Sequence, residues 1–207
     1  MKVYKLLEDN YHLLDSEMDF DATSEPFNGR NTIGYDMKVA EDFVMPKEIY
    51  FRANLNIIPA HTDFPVTDLR FPIFSNRMID IIESIKPFSK KLLPTIMIDD
   101  TYLDDYKDEY GEFKENVRIN TSYFGVQFLE RIGDCFNYEK SVYSPLISKP
   151  EFPGIIKKMV LKIPNMGFPS IFRIKEKPSM IFISQETKDA LERNDIKGCV
   201  FEEVEVS

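Results

Sequence analysis

Proline constrains this chain more than any other residue type. Thirteen prolines run from Pro26 to Pro178. Each fixes φ and removes a backbone donor, which ends helices and confines strands to edges or bulges. Long helices are therefore expected only in the proline-free stretches Thr95 to Ser144 and Ser179 to Ser207. A chain of 207 residues with 17 Phe and 10 Tyr has enough large apolar side chains for a core without staples. Short strands and short helices packed around such a core are the expectation.

Local patterns fill in that outline. Lys2 to Leu7 reads as a strand entering a loop, and Asp9 to Pro46 is polar and weakly patterned, hence irregular or made of short strands. Ile49 to Ile58 is β-prone without a clear period. Ser75 is a good N-cap with Phe74 in staple position. Met78, Ile81, Ile82 and Ile85 then recur at helical spacing up to Pro87. Thr95 to Ile98 and Val117 to Thr121 read as strands, and Phe124 to Ile132 reads as a helix with Phe128, Leu129 and Ile132 on one face and a stop at Gly133. Further on, Met159 to Ile163, Ile171 to Ile174 and Met180 to Ile183 read as strands, the last buried on both faces. Ser184 caps a helix with Glu186 in its first turn and a thin stripe of Thr187, Ala190 and Leu191. Gly198 marks the turn into a final strand, Cys199 to Val204. The sum is an α+β fold: a mixed, mainly antiparallel sheet with a few short helices packed against it. Residues 1–63 are expected to form an N-terminal strand and irregular lobe. Residues 64–207 are expected to form the α+β core, compact with that lobe.

Chemistry is sparse. Two histidines, His12 and His61, are far apart, and neither Cys135 nor Cys199 sits in a C-x-x-C pair. His61 and Asp63 form at most one arm of a metal site, where three or four ligands are needed. No phosphate-binding glycine pattern or G-x-S-x-G elbow occurs. Registering Gly111 as a calcium-loop glycine puts tyrosines where acids belong. The adjacent carboxylates Asp99-Asp100 and Asp104-Asp105 suit an exposed charge run better than acid–base catalysis. No catalytic residues, cofactor or metal are expected. Two isolated thiols, an N-terminus broken early by charge and the lack of a long apolar run lead to a cytoplasmic expectation, with no membrane association.

Charge is the more telling feature. The net charge is −9. Leu6 to Gly29 contains seven acids and no Lys or Arg, and Asp99 to Glu115 contains eight acids against two lysines. Nucleic acid is disfavoured as a ligand, because phosphate contacts need clustered cations. A basic protein partner is the natural complement, although both runs also read as solvated loops that maintain solubility. In the second run, Tyr102, Tyr106 and Tyr110 are interleaved with Asp99, Asp100, Asp104, Asp105, Asp108 and Glu109. Aromatics with polar tips are enriched at binding hot spots, so these nine residues are the candidate partner-binding set.

A set of segments resembles a bacterial polymorphic-toxin immunity family, first catalogued as a domain of unknown function. It begins with Phe71-Pro72-Ile73-Phe74-Ser75 and Lys91-Leu92-Leu93-Pro94. It continues through Asn116-Val117, Glu139-Lys140-Ser141 and Ile171-Phe172-Arg173-Ile174. The ending runs Met180-Ile181-Phe182-Ile183-Ser184, Ala190-Leu191 and Ile196-Lys197-Gly198-Cys199-Val200-Phe201-Glu202. The resemblance spans about Phe64 to Val204 and implies a non-enzymatic protein that neutralises a cognate toxin by occluding it. It brings no catalytic residues. A small enzyme with an unrecognised site and a structural or regulatory binding module stand as alternatives.

Overall fold

The structure is a computed structural model, which describes residues 2–9, 21–24, 46–69, 71–102 and 106–207. Most of the N-terminal acidic run falls outside the described residues, as do Asp104 and Asp105. The described elements are β1 (Val3–Glu8), β2 (Asp21–Ser24), β3 (Ile49–Ala53), α1 (Ile58–His61), β4 (Val66–Thr67) and β5 (Ile73–Ser75). Then come α2 (Asn76–Ile85), β6 (Lys90–Asp99), β7 (Ile119–Phe128), β8 (Val142–Leu146), β9 (Lys149–Lys158) and β10 (Val160–Leu161). The last are β11 (Ile171–Phe172), β12 (Ile181–Ser184), α3 (Gln185–Arg193) and β13 (Cys199–Val206). The α+β expectation holds, with three short helices among the described residues.

The strands form two mixed sheets and a separate hairpin. The first sheet runs β10-β13-β1-β12-β11, the second β4-β2-β3-β6-β7-β5, and among the described residues β8 pairs only with β9. The start of the chain thus lies between its last strands: β1 is antiparallel to both β12 and β13. Both faces of the first sheet are covered. Tyr4, Leu6, Ile181 and Ile183 face one cluster with the helices. Val3, Phe182 and Val204 alternate to the other, where Phe172, Phe182 and Phe168 stack. The continuous apolar run of β12 is the consequence of that double burial. Arg173 follows the same alternation, between Phe172 and Ile174 but with its guanidinium 4.7 Å from the Phe128 ring centroid.

The second sheet shows how the prolines are accommodated. Pro94 lies within β6, opposite Phe124 of β7. On its other side β3 begins to pair only at Thr95, so the missing donor falls where β6 is still an edge. One prediction fails here. Phe124 to Ile132 is not a helix; it belongs to β7 as far as Phe128. A short apolar run fits either period, and long pairing with β6 together with β5 on the far edge decides for strand. Gly125 makes the close approach possible, because a Cβ there would lie 2.4 Å from the Phe71 ring. Two strands are shorter than their patterns, β10 at Val160–Leu161 and β11 at Ile171–Phe172, whereas β7 starts two residues later than expected and runs on to Phe128.

The helices bind the two sheets together. The Ser75 hydroxyl accepts from Met78 N–H at 3.1 Å and starts α2. The Ser184 hydroxyl accepts from Thr187 N–H at 3.2 Å and starts α3. Each cap contributes about 1 kcal/mol. Burial of Met78, Ile82 and Leu191, none of them exposed, contributes on the order of 2 kcal/mol apiece and outweighs the caps. Between the helices lies Asp63, which is buried. Its carboxylate accepts from Ser75 Oγ (2.6 Å), Arg77 Nη2 (2.7 Å) and the Lys197 amide (3.0 Å). Its own N–H donates to Lys197 O, and its carbonyl accepts from Ser75 N–H. The Lys197 turn approaches this closely only because Gly198 follows, with φ +76° and a Cβ position 2.0 Å from Thr62 Oγ1.

Asp63→Ala is expected to lower stability by about 2–4 kcal/mol, because buried donors lose their acceptor. Gly198→Ala should cost more than Gly111→Ala. Both positions have positive φ, but nothing lies within 4 Å of the Cβ position at Gly111. Urea denaturation measures all three, and equal costs at the two glycines would deny the Thr62 contact any role. The cysteines allow a second check. Both thiols are free and are packed in different clusters. Burial pushes the Cys135 thiol up to about 12 and also raises Cys199. In the native protein at pH 8 both should react far more slowly than free cysteine with a disulfide reagent, Cys135 the slower because it is buried while Cys199 is half-buried. Both should react at once in guanidinium. Rapid native labelling of Cys135 would contradict this packing.

Candidate partner-binding surfaces

The acidic segment divides into an inward and an outward part. Asp99, at the end of β6, is buried. Its carboxylate lies 3.2 Å from the Arg118 guanidinium and accepts from the Thr101 hydroxyl at 2.6 Å. Tyr106 is also buried, in a cluster with Tyr50, Ile98 and Val117. Tyr102 is half-buried, and its hydroxyl donates to the Asn116 carbonyl. These three side chains hold the segment against the second sheet. Asp100 is exposed, while its N–H donates to Ala53 O.

Asp108, Glu109 and Tyr110 form the outward part. Lys107 and Phe113 make an antiparallel bridge, and between them the chain turns tightly. The Asp108 carboxylate accepts from the amides of Tyr110 (2.9 Å) and Glu112 (3.0 Å). Gly111 takes a φ of +82°. Such a side-chain-capped turn is a local device of Asp, and it presents Glu109, Tyr110 and Glu112 to solvent. Tyr110 is 82% exposed. Lys107 is held back at the base, its Nζ 4.8 Å from the Tyr50 ring centroid. The Tyr50 hydroxyl donates to Glu48, and burial first, then that bond, pushes its pKa up to about 12. The tip therefore carries negative charge and one aromatic ring.

A second surface was not anticipated from the residues. The β8–β9 hairpin exposes Val142, Leu146, Ile147 and Ile155, and Ile147 at its turn is 99% exposed. An isolated two-stranded hairpin is marginal in water, so its base must be anchored. Tyr143 packs edge-on against Phe136 at 5.4 Å and Tyr138 at 5.7 Å. Tyr138 OH donates to Glu151 O at 3.1 Å, and Lys177 Nζ donates to Gly154 O at 2.7 Å. The sequence signal was present in the prolines Pro145, Pro150 and Pro153, which mark edge strands. Apolar residues among prolines read equally well as packed turns, and only the fold shows them uncovered.

Between this hairpin and residues 175–179 lies a cleft of about 460 Å³. Leu146, Lys149, Phe152 and Pro153 form one wall, and Lys175, Glu176, Lys177 and Pro178 the other, with Arg131 alongside. His61 and Asp63 do not form a metal arm: His61 is exposed, and the Asp63 carboxylate is engaged by Ser75, Arg77 and Lys197. Among the described residues no group of three or more His, Cys, Asp or Glu is arranged to hold a metal ion. No described helix is long and apolar enough to cross a membrane.

No curated protein matches the chain. A family model does, over a little under half of the chain, and its span begins just after the acidic turn and takes in the exposed hairpin, the cleft and the closing strand–helix–strand. Residues 113–206 match the Immunity protein family (Imm11), and over that span this chain is similar to immunity proteins.

Proposed function

We propose that this is a bacterial, cytoplasmic immunity protein that binds a cognate polymorphic toxin and neutralises it by occlusion, without catalysis. The observation that carries the reading is the family match over residues 113–206. Two features of the surface support it. The Asp108–Glu112 turn presents acids around Tyr110 on a rigid, internally hydrogen-bonded frame, which suits a basic partner and limits the entropy lost on binding. The β8–β9 hairpin keeps apolar residues in water at a site braced from below, as interaction surfaces do.

Co-expression with the product of the adjacent upstream gene tests the proposal. Growth rescue and a stable co-purifying complex are the expected result, with protection only at or above one-to-one stoichiometry. Protection well below that ratio would point to an enzyme, and the absence of both rescue and complex would remove the immunity reading. Within such a complex, Glu109→Lys with Tyr110→Ala should weaken binding by about tenfold or more and flatten its salt dependence. Affinity that stays at the wild-type value across salt concentrations would exclude the acidic turn from the interface.

A further inference from the structure

The cleft beneath the β8–β9 hairpin is cationic, opposite in sign to the acidic turn. Its lining includes Arg131, Lys149, Lys175 and Lys177 against the single carboxylate of Glu176, whereas the whole chain is at −9. Its walls also carry apolar surface from Leu146, Phe152, Pro153 and Pro178. Ile147, next to Leu146 in the hairpin turn, is fully exposed. We propose that this cleft is a second docking site, and that its occupant is an extended segment of the partner protein with a carboxylate side chain flanked by apolar ones. The proposal rests on the immunity reading only for the identity of that partner.

Three observations select this occupant. Cations beside apolar walls match a segment of alternating acidic and apolar residues, through charge complementarity at the rim and burial inside. Glu176 is 7% exposed, and its Oε2 accepts no hydrogen bond within the protein. A peptide amide supplies the missing donor, which a phosphate group does not. Strand addition along the hairpin is disfavoured, because Pro145, Pro150 and Pro153 lack donors. Recognition must run through side chains and the cleft. The cleft is also held open by its own structure: Lys177 Nζ is fastened to Gly154 O, and a Cβ at Gly154 would lie 3.0 Å from Pro145 O. A larger residue there would press β8 and β9 apart by a few tenths of an ångström.

The test uses the full chain and two synthetic peptides of alternating leucine and aspartate or leucine and lysine, titrated by amide NMR. The acidic peptide should shift the signals of Leu146 to Phe152 and Lys175 to Ser179 saturably, and the lysine peptide should not. Lys149→Glu with Lys175→Glu changes two exposed side chains and should weaken the acidic peptide by about tenfold or more. Lys47→Glu, a charge reversal at an exposed residue outside the cleft lining, should leave it unchanged. Equal response to both peptides, shifts elsewhere, no saturable shift at millimolar peptide, or preference for a single-stranded oligonucleotide would each overturn the proposal. Because the toxin takes no part in this titration, failure here with intact growth rescue removes the second site and leaves the immunity reading standing. Peptide binding without rescue does the reverse.

Discussion

The Asp63 carboxylate is the contact on which the two halves of the molecule depend. It sits behind α1 in the chain, reaches the cap of α2 through Ser75, and meets the backbone of the turn that leads from α3 into β13. Each partner belongs to a different element, and none is a sequence neighbour. The Arg77 guanidinium closes the network from the solvent side, also donating to Asp195 O at 3.1 Å. A buried carboxylate is costly unless its lone pairs are met by donors. Here the donors come from both sheets' supporting elements, so satisfying one charge also sets how the sheets stand to each other. Surface pairs such as Lys2–Glu203 and Lys158–Glu205 are exposed on both sides and by comparison contribute little.

Around that joint, surface and core divide the work. The first sheet is buried on both faces and is completed by the first and last strands of the chain. The two projecting turns are secured to different cores: Tyr106 and Val117 pack in the cluster beside Tyr50, whereas Tyr143 and Ile156 pack on the far face of the first sheet. Each turn is thus a rigid extension with its own chemistry, one acidic and aromatic, the other apolar beside a cationic cleft. A protein built this way presents surfaces of opposite sign on one scaffold. This suits a binding role, where order present before encounter lowers the cost of association.

How far the sequence was legible varied with the range of the interactions. Helices α2 and α3 were readable because Ser75 and Ser184 cap locally and the apolar spacing repeats within three or four residues. The turn at Gly198 and the doubly buried β12 were readable for similar reasons. Phe124 to Ile132 was not, because its spacing fitted a helix and the competing strand pairs with residues some thirty positions earlier. The acidic segment was found by charge, but charge could not separate its inward from its outward members. Asp99 and Tyr106 are inside, Glu109 and Tyr110 outside, and the difference is made by Arg118 beside Asp99 and by Tyr50 and Ile98 around Tyr106.

The sequence by itself determined the class of fold, the short capped helices, the acidic balance and the resemblance to immunity proteins. These depend on composition, on periodicity and on contacts within one turn of chain. Only the tertiary structure decided that β1 lies between the last strands, that Asp63 is a joint instead of a metal arm, and that a hairpin of apolar residues and prolines stands clear of the core above a cationic cleft. Those outcomes depend on which distant segments meet. Burial and exposure are properties of the assembled sheets, and the same Ile or Asp is a core residue or a contact residue according to what is packed over it.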